Sequence, residues 1–262
     1  MTVVSPWELL HRGEIQVRGR IMPASNHTFL VQLGQGETSV TAVYKPVSGE
    51  RPLWDFAEGS LAGREYAAWL VSECTRWRVV PPTTVREGPA GRGMVQLWQE
   101  PDEDQAPVDL VPEGEVPEGY LHVLDAFDHH DRPVSLVHED SPALRRMAVF
   151  DAVVNNTDRK GGHVLAMQDG HRFGVDHGVC FHAEDKLRTV LWGWAGARLD
   201  EEEVAGVERV LCGLDDSLGE QLHDLLSRAE VRALRERCHR LLAMRRFPLP
   251  AGGWPSIPWP AF

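Results

Sequence analysis

Apolar and polar residues alternate over three short segments near the start of the chain, 14–20 (E-I-Q-V-R-G-R), 28–33 (T-F-L-V-Q-L) and 39–45 (S-V-T-A-V-Y-K). Alternation with period two, broken by Pro23 to His27 and by Gly34 to Gly36, predicts strands with one buried face. The period then lengthens. Leu61, Tyr66, Trp69, Leu70 and Glu73 recur at near-helical spacing and predict a helix over 61–75. Val79-Val80-Pro81-Pro82 closes that segment, and Met94 to Trp98 reads as a buried strand. Glu100 to Glu118 carries eight acidic residues, four prolines and no base. Such a stretch buries little surface, so it is predicted to be an exposed connector with a domain boundary at its start. Beyond it the pattern turns helical. Ser141-Pro142 supplies an N-cap and first-turn proline for a helix to about Val154. Ser227-x-x-Glu230 is a capping box ahead of Val231, Leu234, Cys238, Leu241 and Leu242. The Pro- and Trp-rich tail from Pro248 to Phe262 is predicted to pack in an irregular extended form.

Composition narrows the class. A hydrophobic fraction of 42% and a charged fraction of 25% over 262 residues fit a globular protein able to bury a good core. No apolar run approaches the length of a membrane span, and Met1 to His11 lacks the pattern of a secretory leader. The four cysteines (Cys74, Cys180, Cys212, Cys238) lie far apart with no C-x-x-C pair, which predicts buried thiols in a reducing, cytoplasmic setting. A net charge of −12 without a Lys/Arg cluster argues against nucleic acid or an anionic membrane as partner. Oligomeric state leaves no trace in the sequence.

The chemistry concentrates in Asn155 to Gly178, N-N-T-D-R-K-G-G-H-V-L-A-M-Q-D-G-H-R-F-G-V-D-H-G. Asp169-Gly170 between two apolar runs, His163 to Met167 and Arg172 to Asp176, predicts a hairpin with a type I′ turn. In that register His163 stands opposite Asp176, with Cα atoms about 4.5–5.5 Å apart. Asp158 lies in the Gly-containing loop just before. A loop aspartate beside an imidazole paired with a carboxylate is suited to binding a metal and transferring a group.

A β-rich first lobe followed by a helical one is the layout of a protein kinase, and local motifs fit it. Ala42-Val43-Tyr44-Lys45 resembles the kinase V-A-I-K, and Glu65 in the predicted helix is placed to orient that lysine. Asp176-His177-Gly178 resembles the metal-binding Asp-Phe-Gly. Asn156-Thr-Asp158-Arg159-Lys160-Gly-Gly-His163 resembles the D-R-H-x-x-N loop of phosphatidylinositol 3-/4-kinase-like proteins. Arg64-Glu65-Tyr-Ala-Ala68 through Val79-Val-Pro-Pro-Thr83 is similar to the small bacterial members and to HipA-type kinases. The resemblance spans roughly residues 25 to 182.

It implies an α+β, two-lobed protein-kinase-like fold, with a small antiparallel β-rich N-lobe (1–100) and a larger, mainly helical C-lobe (101–262). It also implies phosphoryl transfer from ATP, with Mg²⁺ or Mn²⁺, to a hydroxyl of a small polyol or inositol-like molecule or of a protein Ser/Thr. Lys45 would hold the ATP phosphates, Glu65 would fix Lys45, and Asp158 would orient or deprotonate the acceptor. Asp176 and His163 would bind metal, while Arg159 and Lys160 would neutralise phosphate charge. Gln99 and Glu100 would occupy the adenine-binding connection. Two family positions differ: Lys160 replaces a histidine, and His163 replaces a metal-binding asparagine. Imidazole suits Mn²⁺ or other transition metals better than Mg²⁺. No G-x-G-x-x-G loop is present, and Ser25 and Asn26 stand in its place, read equally as phosphate contacts or as a plain turn. His163 itself reads as either a ligand or a satisfied half-buried histidine. Two further functions remain open: a nucleotide-binding pseudokinase, and a metal-dependent hydrolase using the scattered histidines.

Overall fold

The structure, a computed structural model, describes residues 4–22, 26–36, 38–57, 59–252 and 255–262. The chain begins with helix α1 (Pro6–Arg12), whose Ser5 hydroxyl accepts from the Glu8 amide at 3.1 Å with proline in the first turn. Strands β1 (Ile15–Arg20), β2 (Phe29–Gln35) and β3 (Thr38–Pro46) follow, then helix α2 (Leu61–Thr75) and strands β4 (Thr83–Gly88) and β5 (Gly91–Leu97). The five strands form one antiparallel sheet in the order β1-β2-β3-β5-β4. Val31, Leu33, Ala42, Tyr44 and Val95 point from it onto Leu9 and Leu10 of α1. Period-two alternation therefore leaves Val43 and Lys45 on the opposite face.

The second lobe departs from expectation at its start. The acidic stretch contains strand β6 (Val108–Pro112), and β7 (Tyr120–Phe127) and β8 (Pro133–Glu139) follow before any helix. They form a three-stranded antiparallel sheet in the order β6-β8-β7. Val108 is buried in the core, while Asp109 and Leu110 face outward. An edge strand tolerates flanking prolines and outward charge, which is why its composition resembles that of a connector.

Helix α3 (Pro142–Val154) is capped by the Ser141 hydroxyl, and the short strands β9 (Val164–Ala166) and β10 (Arg172–Gly174) pair after it. Helices α4 (Glu201–Gly213), α5 (Ser217–His223) and α6 (Arg228–Met244) complete the lobe. Capping boxes start both α4 (Asp200 with Glu203) and α6 (Ser227 with Glu230). The described part of the tail adds no strand and packs irregularly, with the Gly161 amide donating to the Ala261 carbonyl at 2.8 Å. The fold is α+β and two-lobed: a small antiparallel sheet with its helices, then a larger, mainly helical lobe.

Helix α2 serves both lobes. It carries Glu65 toward the sheet, yet Ala67, Ala68 and Val71 are buried in the larger core with α3, α4 and α6. Trp77, just past α2, packs its indole against α4 at Gly206, where a Cβ would come to 2.0 Å from the ring. Gly206→Ala is therefore expected to cost about 1–3 kcal/mol by forcing the ring aside, read as a lower midpoint in urea unfolding.

Candidate active site

Lys45 from β3, Glu65 from α2 and Asp176 from the turn after β10 meet between the lobes. Lys45 Nζ donates to Glu65 Oε1 at 2.7 Å and to Asp176 Oδ1 at 2.8 Å. Glu65 is 2% exposed, and its second oxygen accepts from the His177 amide at 2.9 Å. It is no surface carboxylate: one oxygen anchors the lysine and the other the backbone beside Asp176. Burial draws the Lys45 ammonium down, but Asp176 and Glu65 outweigh it and hold the lysine above its ordinary value. Lys45 in turn is the main cause that keeps Asp176 below the usual carboxylate range. Asp176 has φ of 63°, a left-handed conformation that aspartate adopts more readily than most residues.

Helix α3 ends in a loop built around its own polar side chains. Asn155 takes φ of 54°, and its amide group donates to the His182 and Glu184 carbonyls. Asn156 Oδ1 accepts from the Asp158 amide at 3.0 Å, while its Nδ2 donates to Asp151. This holds Asp158 out of the helix with its carboxylate partly exposed and Lys160 Nζ 3.8 Å from Oδ2. Burial raises the Asp158 pKa, only partly opposed by Lys160, and the Asp176 charge adds to the rise. A carboxylate made more basic in this way is better suited to accept a proton.

His163 links the two aspartates. Its Nδ1 donates to the Asp158 carbonyl at 3.0 Å, which fixes the tautomer and leaves a lone pair on Nε2. That atom lies 3.5 Å from Asp176 Oδ2. Two acceptors facing each other are unfavourable unless a cation or proton lies between them, so the pair fits a divalent metal with water and phosphate oxygens completing its shell. Among the described residues, no group of three or more His, Cys, Asp or Glu is arranged to hold a metal. His129 and His130 lie in the β7–β8 turn with their rings tilted against each other, centroids 3.9 Å apart.

The His163 pKa is pushed down to about 4, mainly by burial. The unfolded imidazole titrates near 6.5, so as pH falls from about 6.5 to about 4 the unfolded chain takes a proton that the folded chain refuses. This imidazole's contribution to metal-free stability is expected to be lost across that window, while the depressed Asp176 carboxylate carries the decline on to lower pH. His177, also depressed by burial, acts with the same sign. His163→Asn should make the decline shallower, as measured by urea unfolding at several pH values.

The hairpin register is shifted by one residue from the expected one. Arg172 pairs with Ala166, Phe173 with Leu165 and Gly174 with Val164. Gly170 has φ of 84°, while Asp169 is not among the positive-φ residues. The Gly170 amide donates to the Met167 carbonyl and the Met167 amide to the His171 carbonyl. This is a turn followed by a single left-handed glycine, not a type I′ turn with two positive φ angles. His163 consequently sits in a short 3₁₀ turn (Gly161–His163) opposite Val175, whose amide donates to the His163 carbonyl at 3.0 Å. The side chains of His163 and Asp176 still approach because Asp176 turns back in its left-handed conformation.

Arg159 requires a larger correction. It is fully buried, with Nε and Nη2 donating to Asp151 at 2.9 Å, Nη1 to the His163 and Val175 carbonyls, and Nη2 also to His177 Nε2. Its donors are spent inside the lobe, so it positions the loop and does not contact a phosphate. Asp151, Asn156 and His177, which sequence reading left without roles, complete this network. Their signal was present: a buried helix-terminal aspartate followed by N-x-D-R is a charge that needs an internal partner. Ser25 lies outside the described residues. Asn26 Oδ1 accepts from the Arg51 amide at 2.8 Å and so ties its segment to the chain after β3. Gln99 and Glu100 follow β5 with their side chains turned back: Gln99 donates to the Leu97 carbonyl and Glu100 accepts from the Trp98 indole.

The chain is 51% identical over 263 residues to protein Rv2133c of Mycobacterium tuberculosis, covering 97% of this chain and 94% of that protein. It belongs to the Rv2133c family. No family model matches the sequence. The crystal structure of the Helicobacter pylori proinflammatory kinase CtkA is similar over 88% of this chain and 97% of its own length, at a TM-score of 0.43 and 12% identity. In this Rv2133c relative, no described helix is long and apolar enough to cross a membrane.

Proposed function

We propose that this member of the Rv2133c family is an ATP-dependent phosphotransferase acting on a hydroxyl in the cytoplasm. One observation carries the reading: Lys45, Glu65 and Asp176 converge from three separate elements, and His163 ties Asp158 to them. Residues 1–100 form the nucleotide-binding lobe in this reading and 101–262 the lobe that receives the acceptor. Lys45 steadies the phosphates, and Glu65 keeps its ammonium in place. The backbone at Gln99 and Glu100 offers groups to adenine. A divalent cation held by Asp176 and His163 would neutralise phosphate charge. Asp158 orients the acceptor hydroxyl and takes its proton, and Lys160 adds positive charge beside it. The acceptor is a small polyol, an inositol-like molecule or a protein Ser/Thr, in keeping with the likeness to phosphatidylinositol 3-/4-kinase-like and HipA-type proteins.

The test is incubation with γ-labelled ATP and either Mn²⁺ or Mg²⁺, following label into the protein itself, a metabolite pool and lysate proteins. Transfer is expected, faster with Mn²⁺, and His163→Asn should narrow the difference between the ions. Equal rates with both ions in the unaltered protein would remove His163 from the metal site. Nucleotide binding without transfer would leave the chain as a signalling pseudokinase.

A further inference from the structure

The 3₁₀ turn that follows Lys160 and carries His163 opens with two glycines, Gly161 and Gly162. Paired glycines leave a backbone more conformational freedom than any other residues would. Nothing lies within 4 Å of the place a Cβ of Gly162 would take. Gly161 is buried, and its φ lies outside the left-handed region, so its backbone does not require glycine. Space does. A Cβ there would come to 2.3 Å from Cε1 of Phe262, with Cδ1 and Cζ of the same ring at 2.7 and 2.9 Å. The loop omits a side chain at this point, and a ring from the tail occupies the room.

The tail that delivers this ring is itself moored. The Ser256 carbonyl accepts from the Thr189 amide at 3.0 Å and from the Trp192 indole at 2.8 Å, and Arg188 Nη2 donates to the Ile257 carbonyl at 3.3 Å. Ala261 is buried in the larger core, with Ile257 packed against that core, and the Ala261 carbonyl accepts from the Gly161 amide at 2.8 Å. Residues 188–190 also pair with the loop: the Arg159 amide donates to the Arg188 carbonyl at 3.0 Å, and the Val190 amide to the Arg159 carbonyl at 3.1 Å. The loop is therefore gripped twice, at Arg159 through this segment and at Gly161 by the tail directly. Lys160 lies between the two grips, its Nζ 3.8 Å from Asp158 Oδ2. His163 follows them. Its amide donates to the Lys160 carbonyl at 3.1 Å and its Nδ1 to the Asp158 carbonyl at 3.0 Å.

We propose that Phe262 is a positioning residue for phosphoryl transfer: seated on Gly161, its ring fixes the turn that sets Lys160 and His163 beside Asp158. The assignment rests on the phosphotransferase reading of that site. Phe262 acts through Gly161 and not on the reacting atoms. Its side chain is 49% exposed, so removing the ring leaves the core filled and frees only the glycine turn. A reacting group misplaced by about 1 Å can cost about 10²-fold in rate, and a turn that strays only part of the time costs less.

Amide hydrogen exchange of the full chain, with label transfer from γ-labelled ATP over a range of ATP concentrations, tests this. Phe262→Ala is expected to speed exchange at residues 158–163 and to leave α3 and α6 as protected as before. Its kcat should fall about tenfold, with KM for ATP unchanged because Lys45, Glu65 and Asp176 keep their places. Phe262→Tyr, which keeps the ring, should recover both the protection and the rate. Gly161→Ala should slow transfer when the ring is present and do less harm in Phe262→Ala, where its methyl enters vacated space. Unaltered exchange in Phe262→Ala, or faster exchange with undiminished kcat, would overturn the assignment. So would equal harm from Gly161→Ala in both backgrounds, or protection lost throughout the chain, which would make Phe262 a folding residue. A wild type that transfers no label would end the phosphotransferase reading, while loop exchange alone would still confirm or overturn the grip of the ring.

Discussion

Asp158→Asn is expected to lower phosphoryl transfer by about 10²–10⁴-fold, the range associated with losing a positioned general base. The substitution keeps the size of the side chain and the Asn156 bond to the residue-158 amide, which involves only backbone at that position. It removes a carboxylate whose basicity is raised by burial. Nucleotide affinity should change little, because Lys45, Glu65 and Asp176 are untouched. Initial rates with γ-labelled ATP, alongside nucleotide binding followed by fluorescence, separate the two effects. Undiminished transfer in the variant would remove Asp158 from the reaction. A parallel loss of nucleotide binding would point to a collapsed loop instead.

Arg159→Leu is expected to act on folding. The Arg159–Asp151 pair is fully buried on both sides, and removing one partner leaves a carboxylate with only the Asn156 amide group to satisfy it. Breaking such a pair typically costs about 3–5 kcal/mol, a large part of the roughly 5–15 kcal/mol that holds a domain folded. The measurement is urea unfolding, compared with the double variant Asp151→Leu/Arg159→Leu. The double variant should recover part of the loss, since no buried charge is left alone. A stable Arg159→Leu protein with selectively lost transfer would return Arg159 to the phosphate-binding role that its motif suggested.

The contrast between these two residues shows what the sequence could convey. Local periodicity was a sound guide where one face of an element meets one core: α2, α3 and the first three strands lie close to their expected limits. The capping residues Ser141 and Ser227 mark helix starts as their chemistry requires. The same signal at Ser5-Pro6 and Asp200-x-x-Glu203 was equally legible and passed unread. β6 was obscured because an edge strand is free to carry the acids and prolines of a loop. At the site, Lys45, Glu65 and Asp176 each sit at a recognisable point of an element, and these three side chains meet. The sequence did not reveal direction. Whether Arg159 faces outward or inward depends on Asp151 across the helix end, a tertiary contact with no local period. The hairpin register turned on whether Asp169 takes a positive φ, and Asp-Gly is compatible with either answer.

One consequence of the way α2 is seated concerns control. Arg64 on α2 reaches Glu230 of α6 at 2.5 Å and the Cys180 carbonyl at 2.8 Å, next door to the carboxylate that grips Lys45. Levering that helix outward to disarm the lysine would tear open the main core, so the molecule has no inexpensive off position of that kind. If Lys45 acts as proposed, restraint would have to come from moving the sheet over a fixed axle or from blocking the crevice from outside.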